Sequence, residues 1–230
     1  MNHNWIEMEI LEIERLTPSF FGIKLIPSGD IGFHFQAGQC VNLLTPSRKK
    51  VCISIASEPE EKKFVEFLVK DQPETATHEL CQRLTGEKIK MSLPFGSGFP
   101  IEQFKQKDLL LIGIGSGLSP LRSLLKSLLR KDHQFQRISL IYGAKNQAEI
   151  PFKSEFDFWS KKINVQIALT QPTGVDWRGF KGRVTDLIQN LEMKSKQTIC
   201  CICGNKEMES EIRNLLERKG ISKENILLNY

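Results

Sequence analysis

The pattern of hydrophobic and polar positions changes its period part-way along the chain. Up to about Pro100, short apolar runs such as Phe21–Ile26 and Cys40–Leu44 are separated by turn sequences such as Pro27–Asp30. Runs of this length, at roughly 8–12-residue spacing, are typical of an antiparallel barrel or sandwich. The first half is therefore predicted to be an antiparallel β-barrel that contains one helix, over Thr77–Leu84.

Beyond about Asp108 the pattern alternates strands with helices. Leu109–Gly113 is a continuous apolar strand, and Leu118–Leu129 places leucines on one helical face. The elements predicted after these are strand Ile138–Tyr142, helix Lys153–Lys161, strand Val165–Leu169, helix Val184–Leu191, strand Thr198–Cys203, helix Glu207–Lys219 and strand Asn225–Leu228. Such alternation predicts an α/β domain with a doubly wound parallel sheet. We expect the barrel to cover residues 1–102 and the α/β domain residues 103–230.

Composition excludes several classes of protein. The 230 residues are 40% apolar and 26% charged, which is ordinary for a globular protein and not for a disordered one. No apolar run approaches the roughly 18 residues of a membrane span, and Glu7 and Glu9 interrupt any signal-peptide core. Six cysteines are too sparse for a disulfide framework. The chain is therefore expected to be cytoplasmic and to lack a membrane span.

Charge and histidine spacing give no sign of nucleic-acid or metal binding. The net charge of +5 is spread along the chain, whereas a nucleic-acid site needs a clustered basic stripe. The four histidines are scattered without metal-ligand spacing. Cys200 and Cys201 are consecutive on a strand, so they should point to opposite faces, and no C-x-x-C pair is present. We expect no metal site and no nucleic-acid partner.

Two glycine-containing turns carry the strongest local signals. Gly113–Arg122 follows a buried strand and opens a helix, where backbone amides and the helix N-terminus favour an anionic ligand. Pro120 stands where the G-x-G-x-x-G fingerprint has its third glycine, so a tight turn without a ligand is the alternative. Cys203–Met208 also follows a strand. Since ligands of open α/β sheets bind outside the carboxyl ends of strands, both turns are predicted to line one crevice.

Taken in order, seven segments resemble the motifs of the ferredoxin–NADP reductase superfamily. The segments are Phe35–Gln39, Ser54–Ser57, Gly86–Glu87 with Pro94–Phe99, Gly115–Arg122, Tyr142–Ala144, Gly182–Thr185 and Cys203–Met208. Each motif is weak alone, but seven in the expected order over about 170 residues are specific. The resemblance implies a flavin-binding-type barrel followed by an NAD(P)-binding domain. It also implies an enzyme that passes a hydride from NAD(P)H to FAD or FMN, and electrons onward to an acceptor such as a redox protein.

The resemblance also assigns residues to roles. Ser54 would hydrogen-bond the reactive edge of the flavin, Cys203 would lie beside the nicotinamide, and Tyr230 would stack on the flavin. The alternatives are a core thiol for Cys203 and a frayed end for Tyr230. The cofactor-binding residues that the resemblance implies are Ile53, Ser54, Ile55, Ala56, Ser57, Lys70, Thr77, Gly115, Ser116, Gly117, Pro120, Thr170, Cys203, Gly204 and Met208.

The sequence departs from the family mainly at the flavin site. Val51 takes the place of the arginine that binds the flavin phosphate, and Ile53 that of the stacking tyrosine. An isoleucine there also resembles the electron-transfer subunits of dihydroorotate dehydrogenases, but the iron–sulfur cysteines of those subunits are lacking. Glu74 lies where many members have glycine beside the diphosphate. A lost charged hydrogen bond is worth about 1.5–3 kcal/mol, or roughly ten- to a hundredfold in affinity. Arg48–Lys50 is a candidate replacement for that charge.

Two functions remain open from the sequence. One is an NAD(P)H-dependent flavin oxidoreductase, in which placing arginine at Val51 is expected to tighten flavin retention. The other is a reductase-like subunit or binding module that has lost its flavin. Gln171 and Pro172 occupy the region where many members bind the 2′-phosphate of NADP with an arginine, so the choice between NADH and NADPH stays open.

Overall fold

Two six-stranded sheets, one after the other along the chain, form the protein. The computed structural model describes residues 5–29, 32–130, 135–192 and 197–229. The first sheet is antiparallel and ends at Ser92, and the second is parallel and begins at Asp108. Both halves of the predicted fold class, a β-barrel followed by a doubly wound α/β domain, are confirmed. The boundary at residue 102 lies between the two sheets and stays a prediction.

The barrel is built from strands with one face toward a common apolar core. The strands are β1 (Trp5–Arg15), β2 (Phe20–Pro27), β3 (Cys40–Leu44), β4 (Lys50–Ser54), β5 (Val65–Lys70) and β6 (Lys88–Ser92), and helix α1 (Ala76–Cys81) follows β5. Their order is β4-β3-β6-β1-β2-β5, and a bridge between Ile55 and Phe67 joins the two ends. Leu80 and Cys81 of α1 pack against this core. The alternating burial of β3 and β4 follows directly from the two-residue side-chain period of a strand.

The α/β domain has helices on both faces of its sheet. Its strands are β7 (Asp108–Ile114), β8 (Arg137–Ala144), β9 (Asn164–Leu169), β10 (Phe180–Lys181), β11 (Ile199–Cys203) and β12 (Ile226–Leu228). Its helices are α2 (Leu118–Arg130), α3 (Lys153–Trp159), α4 (Val184–Asn190) and α5 (Lys206–Arg218). The strand order is β10-β9-β8-β7-β11-β12. Helices α2 and α3 share one core with the barrel side of the sheet, whereas α4 and α5 cover the other face.

Helix ends follow local chemistry. In α5 the Asn205 side chain caps the N-terminus by accepting a hydrogen bond of 2.8 Å from the Met208 amide. Pro120 lies in the first turn of α2, where a missing amide donor costs no helical hydrogen bond. Cys200 and Cys201 belong to different core clusters on opposite faces of the sheet, as predicted from strand alternation. The short strand β10 was not predicted.

A buried arginine fixes the two domains against each other. Arg122 of α2 is 4% exposed and lies 2.8 Å from Glu66 of the barrel. It also donates two hydrogen bonds of 2.7 Å to the Glu155 carboxylate and one of 2.7 Å to the Ala56 carbonyl. The guanidinium lies 4.0 Å from the centre of the Phe152 ring. Because Glu66 and Ala56 belong to the barrel whereas Glu155 and Phe152 belong to the α/β domain, Arg122 links the two domains.

Candidate functional site

The two glycine turns meet where the strand order of the parallel sheet reverses. Strands β7 and β11 are neighbours, and Gly113 pairs with Cys203 at their carboxyl ends. Helices α2 and α5, which follow these strands, lie on opposite faces of the sheet. A crevice therefore opens between the two turns, as expected at such a switch point.

Glycines are required at this crevice by close backbone approach. A Cβ at Gly117 would lie 2.1 Å from the Cys203 carbonyl oxygen. Gly115 has φ +54°, and the Tyr142 hydroxyl donates a 3.1 Å hydrogen bond to its carbonyl oxygen. The Gly113–Gly117 turn is thus held against β8 and β11, which leaves its outer side to face the crevice.

A cleft of about 390 Å³ extends from this turn along the carboxyl edge of the sheet and under the barrel. Its lining residues come from both domains. They are Ser19, Phe20, Lys70, Ile114, Gly115, Tyr142, Gly143, Ala144, Lys145, Glu149, Ala168, Thr170, Gly182, Arg183, Val184, Thr185, Asn205 and Met208. A mostly apolar cleft with a few polar groups at its rim is typical of a small-molecule site.

The charged residues of the cleft suit an anionic ligand. Lys70, Lys145 and Arg183 are exposed at its rim, against one carboxylate, Glu149. That carboxylate is already occupied, because the Ser19 hydroxyl donates a 2.8 Å hydrogen bond to it across the domain interface. Arg183 is itself paired with Glu211 at 2.9 Å, so Lys70 and Lys145 supply the remaining positive charge where a phosphate-bearing ligand would enter.

Four of the predicted cofactor-binding residues line this cleft: Lys70, Gly115, Thr170 and Met208. Arg183 was a candidate for phosphate contact on the sequence, with a surface charge as the alternative, whereas Asn205 was not assigned a role. The signal for the rest was available, since Tyr142–Ala144, Gly182–Thr185 and Cys203–Met208 were among the motifs that resemble the family, and β8 lies between β7 and β9.

The other predicted residues of the nicotinamide turn lie around the crevice without lining the cleft. Ser116 is exposed and Pro120 is buried in α2. The Gly204 amide donates a 2.9 Å hydrogen bond to the buried Glu209 carboxylate. Burial raises the pKa of the Cys203 thiol well above its ordinary value, so the thiol stays protonated at neutral pH. The predicted place of Cys203 beside the nicotinamide stays a prediction.

The hydroxyl predicted at the flavin edge is held by the end of the chain. Ser54 is half-buried, and the Asn229 side-chain amide donates a 3.1 Å hydrogen bond to its oxygen. The Cys40 sulfur lies 3.3 Å from the same oxygen. Tyr230 lies outside the described residues, so its stacking role stays a prediction.

The neighbours of Ser54 on both sides are packed into protein. Ile55, Ala56 and Ser57 are buried, and the Ser57 hydroxyl accepts a 3.0 Å hydrogen bond from the Glu66 amide. Ile53 and Val51 are only 8% and 9% exposed and face the barrel core. A stacking role for Ile53 would therefore require its side chain to leave this core. The outward side chains of β4 are those of Lys50, Cys52 and Ser54.

The basic residues before β4 are largely engaged. Lys49 lies 3.3 Å from Glu79, a carboxylate whose pKa is lowered to about 2 by hydrogen bonds from the Ser47 side chain and amide. Lys50 lies 5.9 Å from the centre of the Trp5 ring. Of the predicted replacement charges, only Arg48 is not engaged in one of these contacts.

The predicted cofactor-binding residue Thr77 is also engaged within the barrel, because its hydroxyl shares a 2.8 Å hydrogen bond with Thr75.

Comparisons with known proteins agree with this geometry. A family model described as the oxidoreductase NAD-binding domain matches residues 111–214. The chain is 30% identical over 198 residues to the sulfhydrogenase 1 subunit gamma of Pyrococcus furiosus, an alignment covering 84% of this chain and 67% of that protein. The chain belongs to the ferredoxin–NADP reductase superfamily of NAD(P)H-dependent flavin oxidoreductases.

The chain also resembles a more distant relative in sequence and two solved structures in fold. One component of the Na(+)-translocating NADH-quinone reductase of Mannheimia succiniciproducens is 28% identical over 194 residues, which cover 76% of this chain and 47% of that protein, so the chain spans about half its length. A ferredoxin NADP+ reductase from Neisseria gonorrhoeae, solved with FAD and NADP, superposes with TM-score 0.83 at 21% identity and covers 97% of both chains. The cytochrome b5 reductase domain of Ulva prolifera nitrate reductase gives 0.82 at 17% identity, covering 98% of this chain and 97% of that one.

Within this superfamily the chain fits its two cofactors unequally. The cleft at the carboxyl edge of the parallel sheet, with Gly115 in its lining and basic side chains at its rim, fits a nicotinamide dinucleotide. Ser54 fits the edge of a flavin ring, while Val51 offers no charge to its phosphate. Within the described ranges there is no cluster of three metal-ligating side chains and no helix long and apolar enough to cross a membrane.

Proposed function

We propose that this chain is the NAD(P)H-oxidising component of an electron-transfer system, with the nucleotide bound in the cleft between the two domains. The observation that carries the proposal is the cleft itself, which joins the Gly113–Gly117 turn, the positive rim and the barrel residue Lys70. The match of residues 111–214 to the oxidoreductase NAD-binding domain supports the same assignment.

Different residues of the cleft would contact different parts of the nucleotide. Gly115 and the start of α2 would face the diphosphate, because amides at a helix N-terminus and the absent side chain favour close anion contact. Arg183, exposed at the rim, would contact a nucleotide phosphate. Phe20 of the barrel lies within 3.6 Å of the Cβ position of Gly115, so the barrel closes the nicotinamide end against solvent.

The barrel would hold the flavin by its ring edge. Ser54 would offer its hydroxyl there, and Asn229 fixes the orientation of that hydroxyl. When bound, a flavin accepts a hydride from reduced nicotinamide and releases electrons singly or in pairs. Because the Val51 side chain lies in the core and carries no charge, we infer that other groups must contact the flavin phosphates. FAD and FMN both meet these requirements of the barrel, and NADH and NADPH both meet those of the cleft.

The proposal is tested by the purified full chain. We expect visible flavin absorption that stays with the protein, either as isolated or after addition of FAD or FMN and removal of the unbound flavin. We also expect oxidation of NADH or NADPH with ferricyanide as acceptor. Arg183→Gln should raise the KM for the nucleotide by about tenfold or more, because a charged hydrogen bond is worth about 1.5–3 kcal/mol. Arg178→Gln is the matched control, since Arg178 is exposed but does not line the cleft.

Failure to bind flavin and failure to bind the nucleotide would lead to different conclusions. A protein that binds nucleotide but neither retains added flavin nor oxidises NADH or NADPH would favour the second candidate, a nucleotide-binding subunit without flavin. The core position of Val51 is the observation that favours this candidate. No nucleotide binding, or equal effects of Arg183→Gln and Arg178→Gln, would refute the cleft as the site.

We also propose an electron acceptor and a cellular compartment for this activity. One relative is named as a subunit of a sulfhydrogenase, which supports a redox protein as the electron acceptor of this chain. All six cysteines are free thiols, which supports a reducing compartment such as the cytoplasm.

A further inference from the structure

Two thiols that the proposed function does not use lie together on the outer face of the barrel. Strands β3 and β4 are antiparallel, with Cys40 opposite Ser54 and Asn42 opposite Cys52. Cys40 and Cys52 are therefore diagonal neighbours on the same outward face. Diagonal neighbours of an antiparallel pair lie about 7–8 Å apart, so a small movement of the strands brings the two sulfurs together.

We propose that Cys40 and Cys52 are a redox-active thiol pair, which low-molecular-weight disulfides oxidise to an intramolecular disulfide. The other cysteines provide the contrast, since Cys81, Cys200, Cys201 and Cys203 are all buried. Cys52 is exposed and Cys40 is half-buried, so a small disulfide reaches this pair first.

The surroundings of Cys40 stabilise its thiolate. Hydrogen bonds from the Cys52 thiol, the Ser54 hydroxyl and the Asn229 amide lower the pKa of Cys40 to about 6, although burial opposes this change. The pair thus loses its first proton easily, whereas the negative charge and hydrogen bond of Cys40 raise the pKa of Cys52. The other titratable group whose charge interacts with Cys40 is the buried Cys203 thiol. A thiolate at a partly exposed position is the reactive form of cysteine.

The chemistry is two successive exchanges. The Cys40 thiolate attacks one sulfur of the disulfide R–S–S–R, forms a Cys40–S–S–R bond and expels R–S⁻. Cys52 then loses its proton and attacks the Cys40 sulfur, which forms the Cys40–Cys52 bond and expels the second R–S⁻. In total the protein gives two electrons to the small disulfide, and both R–S⁻ groups leave as thiols after protonation.

The barrel allows the small movement that bond formation needs. Strand β4 pairs with β3 on one side, and the bridge from Ile55 to Phe67 joins the barrel ends just beyond it. Lys50–Ser54 has a continuous strand partner on one side only, so fewer ladder hydrogen bonds resist a shift of this segment toward Cys40 than in a central strand. Cys40 also contacts the Ser54 hydroxyl, so oxidation of Cys40 would alter the hydroxyl at the flavin edge, a consequence that rests on the proposed function.

The test uses the full-length chain and oxidised glutathione as the probe, with no cofactor added. After incubation, free thiols are alkylated under denaturing conditions and tryptic peptides are identified by mass spectrometry. Trypsin separates the two cysteines, since Cys40 lies in peptide 25–48 and Cys52 in peptide 51–62. We expect two of the six thiols to be lost and these two peptides to be disulfide-linked.

Single variants separate the two steps. Cys52→Ser should accumulate one glutathionyl group on Cys40, because the resolving thiol is absent. Cys81→Ala is the matched control and should give the same linked peptides as the wild type. The pH profile of Cys40 alkylation by iodoacetamide should have its midpoint near pH 6 in the wild type, the pKa of Cys40. Cys52→Ala should raise this midpoint by about one unit or more, and Cys52→Ser should retain much of the shift by its hydroxyl.

Two outcomes would overturn the proposal. One is complete alkylation of Cys40 and Cys52 after an excess of oxidised glutathione, with no linked or glutathionylated peptide. The other is a Cys40 midpoint that is the same in the wild type, Cys52→Ala and Cys52→Ser. Neither depends on bound flavin or nucleotide, so a failure of the proposed function would leave this test intact.

Discussion

Replacing Arg122 by glutamine should destabilise the protein far more than any exposed ion pair does. The substitution removes the cation from a site where Arg122 is 4% exposed and Glu66 is 8% exposed. It also leaves the Ala56 carbonyl without its 2.7 Å hydrogen bond. Breaking a buried pair by removing one partner costs about 3–5 kcal/mol, because the remaining charge is left uncompensated. Typical domains have only about 5–15 kcal/mol of stability in total, so this loss is large.

The assay is urea unfolding followed by tryptophan fluorescence, with Arg183→Gln as the matched control. Arg183 makes a 2.9 Å ion pair with Glu211, but the two side chains are 51% and 39% exposed. An exposed pair contributes about 0–1 kcal/mol, so the control should unfold nearly as the wild type does. Arg122→Gln should therefore lower the stability of the protein, whereas Arg183→Gln should lower its affinity for the nucleotide.

A double variant tests the stated cause of the loss. If the orphaned charge of Glu66 is responsible, Arg122→Met combined with Glu66→Gln should be more stable than Arg122→Met alone. The reasoning is refuted if Arg122→Gln costs no more than Arg183→Gln. It is equally refuted if neutralising Glu66 recovers nothing, since the Glu155 pair and packing on Phe152 would then carry the whole effect.

Two further predictions concern the glycine turn and the domain interface. Gly117→Ala should abolish nucleotide oxidation or folding, because its Cβ would lie 2.1 Å from the Cys203 carbonyl oxygen. Gly29→Ala is the control, because a Cβ at Gly29 would have no atom within 4 Å. This control should match the wild type in steady-state kinetics and melting temperature. Normal kinetics in Gly117→Ala would contradict the described turn. Hydrogen bonding to Arg130 lowers the pKa of Glu58 below its ordinary 4.5, so this pair stabilises the fold at neutral pH and stops doing so as pH falls through the lowered pKa. Arg130→Gln should therefore reduce the unfolding free energy at neutral pH, and by progressively less as the pH falls below about 4.5 and then through the lowered pKa of Glu58. A loss that stays the same across this titration would contradict this.

Helices and strands that bury a large apolar face could be predicted from the sequence, because burial fixes the spacing of their apolar residues. The predicted helix Leu118–Leu129 is observed as Leu118–Arg130, because its leucine stripe packs against the sheet and no other arrangement buries it. The continuous apolar strands of the second half were equally clear, since a parallel sheet covered on both faces leaves them no polar side. The two-residue strand β10 carries too few residues for any pattern, and tertiary pairing with β9 alone defines it.

Features that depend on register or on distant partners could not be predicted. Motif alignment placed Val51 and Ile53 at the flavin, but the pairing of β4 with β3 turns both side chains into the barrel core. Arginine at position 51 would therefore have to be buried, and the expected gain in flavin retention no longer follows. Arg122 was noted only as the last residue of a glycine motif, because its acidic partners lie 33 and 56 positions away.

The same distinction explains why one half of the candidate site was easier to predict than the other. The nucleotide cleft lies at the ends of parallel strands, where topology alone brings successive turns together, so a motif in the sequence already implies its neighbours in space. The outer face of the barrel has no such rule, because a shift of one residue in β4 would exchange Cys52 and Ser54 for Val51 and Ile53. Chemistry on this face is therefore set by strand pairing. Cys40 and Cys52, twelve positions apart in sequence, become neighbours only because Cys40 lies opposite Ser54.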